Sequence, residues 1–517
     1  MKSIHGVRPN VLFITLDQFR ADHLGASGHP HAVTPNLDRL ASQGVRFASH
    51  FANCAPCAPS RASLLTGLWQ MNHRVTDNGA PVRDDLPMLP RKMREAGYDP
   101  VLFGYTDTAL DPADLAEDDP RRTSYEQPMD GFDPVLLLDD QIQEWVDWLE
   151  GLGYELPVPG NNRSIYQPAD VETPAGRGST WAPTRYAAEH SESAFLTGRV
   201  IEWLSEPSRK DEPWFAHVSY LRPHPPFIAP APYNDMFDPA NMVEPVRAES
   251  REAEAALHPF VAAASALVPA PAQDLDQRQL QATYLGMIAE VDHQLGTLID
   301  HLDELGHSEN TVVIVTSDHG EQLGDHWLIQ KLGFFDQSFR IPLIIRFPGL
   351  VDEPGRSFDA FTENVDVMPT ILDLCGLEPS EWADGASLRS ALESSDAEDG
   401  WWRSAVHFEY DFRMPTNSLI EGLFGLRQDE CTIATIRDHD GKYVHFGSDF
   451  PSLFFDLRTD PGESVNLADD PEHTPRVLSY AQRLLNLRLQ HTDPRYANTR
   501  ATVDGTALRA DPPRNSH

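Results

Sequence analysis

The sequence predicts an α/β fold, with a mixed, mostly parallel sheet between helices and a small C-terminal antiparallel sheet subdomain. Three observations carry this. Short continuous apolar runs recur through the first 400 residues and end in polar ones, as buried parallel strands do. Stretches of helical periodicity lie between them, and such alternation implies a parallel sheet covered on both faces. From about residue 400 helices thin out and short strands follow one another closely. We therefore expect two units, residues 1–400 and residues 401–517.

The first expected strand covers residues 11–16 and runs into Asp17. Thr34-Pro-Asn-Leu-Asp-Arg-Leu-Ala41 opens a helix, with Thr34 as N-cap and Pro35 at the first position. Further strands are expected at 100–105, 214–220, 311–316 and 343–347, and helices at 63–67, 89–96, 193–204 and 277–305. Proline accounts for 43 of the 517 residues, and much of it sits in long connections near 110–135, 155–185 and 222–272. These read as surface loops and lids. Beyond residue 400, strands are expected at 406–410, 431–436, 443–446 and 453–457, then a helix at 474–491. Residues 498–517 read as a polar oligomerisation tail that orders on a neighbouring subunit.

Charge excludes whole classes of partner. Lys plus Arg is 41, Asp plus Glu is 79, and the formal net charge is −38. Affinity for phosphate backbones comes from clustered Lys and Arg, so nucleic acid is not an expected partner. An anionic membrane surface is disfavoured on the same ground, and no stretch approaches the roughly 20 apolar residues of a membrane span. The N-terminal apolar run is too short for a signal peptide, so the expected location is cytoplasmic. The four cysteines, Cys54, Cys57, Cys375 and Cys431, do not make a disulfide framework, and the Cys54/Cys57 pair has no second pair at zinc-ribbon spacing.

Two expected strands end alike, one in Asp17-Gln18 and the other in Ser317-Asp318-His319-Gly320. In parallel α/β sheets, ligands gather at the carboxyl ends of strands. Asp17, Gln18, Asp318 and His319 would make a mixed oxygen and nitrogen set for one divalent cation, Mn2+ first and Ca2+ second. On spacing alone, Asp17 and Asp318 suit helix caps or turns equally well.

The stretch Cys57-Ala58-Pro59-Ser60-Arg61, followed by Leu64-Leu65-Thr66-Gly67, fits a C-x-P-S-R signature. It resembles the sulfatase family of the alkaline phosphatase superfamily, in which that cysteine is oxidised to formylglycine (3-oxoalanine). Blocks along nearly the whole chain agree, among them Arg8-Pro-Asn-Val, Thr34-Pro-Asn-Leu-Asp38, Thr316-Ser-Asp-His-Gly-Glu321 and Leu457-Arg-Thr-Asp-Pro-Gly-Glu463. Within the superfamily the likeness is greater to phosphonate monoester hydrolases, which also cleave phosphate diesters. Gln18, His319, Met71-Asn-His-Arg74 with Asn78, Gly104-Tyr-Thr106, Tyr220-Leu-Arg-Pro-His-Pro-Pro-Phe227 and Lys331 carry it.

The resemblance implies a metal site of Asp17, Gln18, Asp318 and His319 shared with the group derived from Cys57. It implies that an aldehyde at position 57 hydrates, that one hydroxyl attacks sulfur or phosphorus, and that loss of a proton from the other re-forms the aldehyde. Arg61 then hydrogen-bonds that group or the metal ligands, Lys331 supplies positive charge, and His224 serves as general acid. Asn78 and Tyr105 are further pocket residues, whereas His73 and His326 read as structural. One departure stands out: Asp107 lies where related chains have a Thr-rich run, and it repels an anion unless it pairs with a cation or faces away. Alternatively, it binds a cationic part of the leaving group.

The expected function is therefore hydrolysis of small monoanionic esters, phosphonate monoesters and phosphate diesters first, with sulfate esters as a related activity. A dedicated arylsulfatase is the alternative. A two-metal phosphotransferase relative with an unmodified nucleophile and a non-catalytic sulfatase-like binding protein are the competing classes. The implied partners are a formylglycine-generating enzyme and further copies of the chain, as a dimer or tetramer.

Overall fold

The β1 strand (Asn10–Leu16) is buried along its whole length, as a run without polar alternation requires. It lies near the middle of an eight-stranded sheet in the computed structural model, which describes residues 8–210, 212–378, 382–413, 419–492, 499–503 and 505–508. The other strands of this sheet and its surroundings are β2 (Val45–Phe51), β3 (Cys54–Ala55), β4 (Pro100–Gly104), β5 (Asp133–Leu137), β6 (Phe215–Tyr220), β7 (Thr311–Ser317), β8 (Leu343–Arg346) and β9 (Arg356–Glu363). The order is β5-β4-β6-β1-β7-β8-β2-β9. Only β8 runs antiparallel to its neighbours. The mixed, mostly parallel α/β sheet is thus as expected.

Alternate residues of β1 feed two cores. Leu12, Ile14 and Leu16 join the apolar faces of helices Glu192–Leu204 and Asp274–Glu304. Val11 and Phe13 pack on the other side with Leu64, Leu65, Met368 and Ile371 from helices Cys57–Thr66 and Val367–Leu374. Each such side chain contributes about 1.5–3 kcal/mol on burial.

Several local expectations need correction. Residues 133–137 form an edge strand where a loop was expected; the exposed Asp133-Pro134 start reads as a loop although Val135, Leu136, Leu137 and Leu138 follow it. The β2 and β9 strands were also missed: their burial is interrupted by intermediate and exposed positions. The helix expected from 63 begins at Cys57, and Pro59 is tolerated because first-turn N–H groups have no helical partner to lose. Thr34 does not cap the helix Pro35–Gln43 with its side chain. Its hydroxyl accepts from Gly25 N (2.9 Å) and donates to Asp38 (3.0 Å), while Asn36 N and Leu37 N donate to Asp292 of the long helix (3.1 and 2.8 Å).

The second sheet contains β10 (Val406–Asp411), β11 (Thr432–Arg437), β12 (Lys442–Phe446) and β13 (Leu453–Phe455), in the order β13-β12-β11-β10-β3. It is antiparallel except where β10 pairs with β3 in parallel, Glu409 with Cys54 and Tyr410 with Ala55. The C-terminal sheet thereby grips the chain immediately before Cys57. The expected tail falls partly on a hairpin, β14 (Thr499–Thr502) and β15 (Gly505–Leu508), and otherwise outside the described residues. No helix among the described residues is long and apolar enough to cross a membrane.

Candidate active site

Register brings the two acidic strand ends together. In the parallel pair β1/β7, Leu16 stands opposite Ser317, so Asp17 and Asp318 leave the sheet side by side. On the other flank Leu16 stands opposite Tyr220 of β6, which places Ser219 just below the same rim. Tyr105 follows β4, whose last residue, Gly104, has φ 99°. A Cβ there would run into the Ser219 carbonyl, so this position needs glycine.

The helix Cys57–Thr66 points its first turn at this rim. Cys57 Sγ lies 3.2 Å from His319 Nε2, 3.4 Å from Lys331 Nζ and 4.0 Å from Asp17 Oδ1. Asn78 Oδ1 accepts from Ala58 N at 3.0 Å and so fixes the start of this helix. One turn on, the buried Arg61 guanidinium donates to Asp17 Oδ2 (3.0 Å), Asp318 Oδ2 (3.1 Å), Ser219 Oγ (2.8 Å) and the Tyr105 carbonyl (3.2 Å). It lies over the Tyr105 ring at 4.4 Å, and its Nε is 3.2 Å from Asp107 Oδ2. Arg61 therefore positions the acids. The Tyr105 hydroxyl adds a donor to Asp17 Oδ2 at 2.7 Å.

Ligand atoms of Asp17, Cys57, Asp318 and His319 all lie within 4.8 Å of one another, and all four residues are buried. His319 Nδ1 faces the Gly320 carbonyl at 3.1 Å; donation there leaves the Nε2 lone pair directed at the cluster. Burial, then Lys331, pushes His319 down to about 3, so its ring is neutral and able to ligate. Burial pushes Asp17 up, but the surrounding cations, Arg61 and Lys331 among them, outweigh it and hold the carboxylate well below its usual range. Burial and the charge of Asp17 raise Asp318. Two carboxylates in one dry pocket compete for ionisation, and a divalent cation removes that conflict. The donor set therefore fits one such ion.

Gln18 sits at φ 66°, a conformation costly for a residue with a Cβ. Its N–H donates to Asp318 Oδ1 (3.1 Å), its amide nitrogen donates to Glu321, and its Oε1 accepts from Lys331 Nζ (2.8 Å). Burial pulls Lys331 down, but Cys57, Asp17 and Asp318 outweigh it, so the ammonium persists. His224 Nδ1 lies 2.7 Å from the Pro225 carbonyl, and burial, then Lys331, pushes the ring down to about 4. His73 and His326 are buried structural groups, bonded to Ser63 (3.0 Å) and Glu254 (2.8 Å).

Sequence reading missed Ser219 and assigned no role to Glu321. The signal for Ser219 was its place at the end of an apolar strand, one residue before Tyr220. For Glu321 it was an acid three residues after Asp318.

A buried acid, imidazole and cation cluster at the carboxyl ends of a mostly parallel sheet, beside a cysteine at a helix start, defines an ester hydrolase of the alkaline phosphatase superfamily. A profile described as Sulfatase matches residues 9–377, and one described as N-sulphoglucosamine sulphohydrolase, C-terminal, matches residues 324–490. The chain belongs to the sulfatase family. It is 41% identical over 524 residues to the multifunctional alkaline phosphatase superfamily protein PehA of Trinickia caryophylli, covering 97% of this chain and 99% of that one. The crystal structure of phosphonate monoester hydrolase of Agrobacterium radiobacter superposes with a TM-score of 0.91 at 43% identity, covering 98% of this chain and 100% of that one. An arylsulfatase of Clostridium perfringens is more distant, at 26% identity over 96% of this chain and 98% of its own.

Proposed function

We propose that this enzyme hydrolyses phosphonate monoesters and phosphate diesters, with sulfate esters as a related activity. Higher identity to the PehA and phosphonate hydrolase chains than to the arylsulfatase supports this order. The observation that carries the reading is the position of Cys57, with its Sγ against both His319 Nε2 and Lys331 Nζ.

Asp17, Gln18, Asp318 and His319, with the group derived from Cys57, would hold one divalent ion, Mn2+ in preference to Ca2+ given the imidazole. Such an ion would supply Lewis-acid charge at the nucleophile and at the transferred group. Formylglycine at position 57 would supply the nucleophile and a route for its regeneration. Gln18 would add its side-chain oxygen to this set; in the structure that oxygen accepts from Lys331.

The chain's own groups divide the remaining work. Arg61 and Tyr105 fix Asp17 from one side, so its other oxygen faces the cluster. Lys331 holds positive charge beside the nucleophile, where an anionic oxygen needs it. His224, bonded through Nδ1 to Pro225, presents Nε2 as the atom that carries a proton to the leaving oxygen. It is neutral in the free protein, so an anionic substrate has to raise its pKa before it donates.

The test has two arms. Mass analysis of the peptide containing Cys57 should show a loss of about 18 Da for conversion to the aldehyde. Cys57→Ala and Asp318→Ala should abolish turnover of a phosphonate monoester, a phosphate diester and a sulfate ester sharing one leaving alcohol. Full turnover by Cys57→Ala would sink the mechanism, and a marked preference for the sulfate ester would favour the arylsulfatase alternative. A cytoplasmic location and a homo-oligomeric state complete the proposal.

A further inference from the structure

Asp107 stands beside Arg61, a group suited to an anion, and a second acid, Glu126, lies on the segment paired with it. The backbone turns at Asp107 (φ 50°), and Thr108 pairs with Gln127 in an antiparallel bridge. Thr106 Oγ1 donates to the Gln127 carbonyl (3.0 Å) and accepts from Met129 N (2.9 Å). This pairing sets Glu126 beside the Asp107 segment. Asp107 faces Arg61, but that single guanidinium also serves Asp17 and Asp318.

Glu126 has no such partner. It is 9% exposed, its Oε2 is shut off from solvent without a hydrogen bond, and no ion pair reaches it among the described residues. The nearby cation Arg163 is committed to Asp140. Burial, then Asp107, Asp140 and Asp139, pushes Glu126 up to about 9. A buried acid without a partner is costly, and such a group calls for a ligand that completes it. Asp107 Oδ2, 3.2 Å from the Nε of Arg61, lies near the helix that starts at Cys57, and the bridge brings Glu126 alongside the Asp107 segment.

Resting on the ester hydrolase reading, we propose that Asp107 and Glu126 form a subsite for a cationic group of the leaving alcohol, an ammonium or quaternary ammonium. The preferred ester is then a zwitterion, its anionic head near Lys331 and its cation against the two acids. Such a substrate has no net charge, so a protein of formal charge −38 does not repel it. Hydrolysis adds one water and releases the amino alcohol and the acid. The subsite acts on substrate choice and leaves the bond-breaking groups as described.

The test uses the matured full-length enzyme and two phenylphosphonate monoesters, one of choline and one of 3,3-dimethylbutanol, which has the same shape without the charge. Wild type should favour the choline ester by about tenfold or more in kcat/KM. In Glu126→Gln this ratio should fall toward one, and in Glu126→Asp it should be partly kept. Tetramethylammonium should inhibit turnover of the neutral ester more strongly than tert-butanol does, a readout that needs no variant. Equal kcat/KM for the two esters in wild type, or an unchanged ratio in Glu126→Gln, would overturn the subsite while leaving the hydrolase reading intact. Failure to hydrolyse either ester would overturn both.

Discussion

Arg61 and Asp17 form an ion pair of 3.0 Å in which each side chain is only 1% exposed. A buried pair of this kind fixes geometry more than it stabilises, but breaking it leaves an uncompensated charge. Arg61→Ala should therefore destabilise the fold by about 3–5 kcal/mol. Arg61→Lys should retain more stability but cannot span Asp17, Asp318 and Ser219 at once. Its metal affinity should fall about 10- to 100-fold. Denaturant unfolding and metal titration check the two effects separately. Unchanged metal affinity in Arg61→Lys would remove the positioning role.

Metal content tests the proposed one-ion site against the two-metal phosphotransferase alternative. Removing the ion with a chelator should abolish ester hydrolysis, and activity should return at one equivalent of Mn2+ per chain. Asp318→Asn keeps the volume and loses the charge, so it should need much higher Mn2+ for half-maximal activity. A requirement for two ions per chain would favour the phosphotransferase alternative.

Much of the centre could be read before the fold was known, because each residue sits in a local signature. Asp17 and Asp318 end apolar strands, and Cys57 and Arg61 share one helical turn. Their convergence depends on the register of β1 against β7, which no local pattern encodes. The same holds for β3, two residues that pair with β10 some 350 residues away in the chain. Asp107 showed the opposite limit. Its departure from related chains was legible, but its pairing with Arg61 and its neighbour Glu126 follow from a bridge between two irregular segments.

Buried neutral histidines predict acid sensitivity. Burial pushes His50 and His73 each from 6.5 down to about 3. His50 is held by Thr362 Oγ1 (2.9 Å) and Asn364 Oδ1 (3.0 Å), an arrangement for one neutral tautomer. The unfolded chain takes up these protons more readily than the folded one. Their contribution to stability is therefore whole above about pH 6.5 and is lost as pH falls toward 3. In His50→Gln the curve of unfolding free energy against pH should be shallower over that window, though lower at neutral pH. Parallel curves for the variant and wild type would show that His50 titrates alike in both states.

The acidic shell makes a prediction about salt. A formal charge of −38 gives a long-range field that repels a monoanionic ester, whereas Lys331 and Arg61 are buried and act only at close range. Salt shortens the reach of the outer field to about 8–10 Å at physiological strength but screens buried groups much less. For an ester with a neutral leaving group, kcat/KM should hold steady or rise from low to moderate salt. For the choline ester, which has no net charge, it should change less. A steep loss of kcat/KM for the neutral-leaving-group ester over that range would mean that exposed cations guide the substrate inward, and the picture of a small positive centre screened within a negative protein would fail.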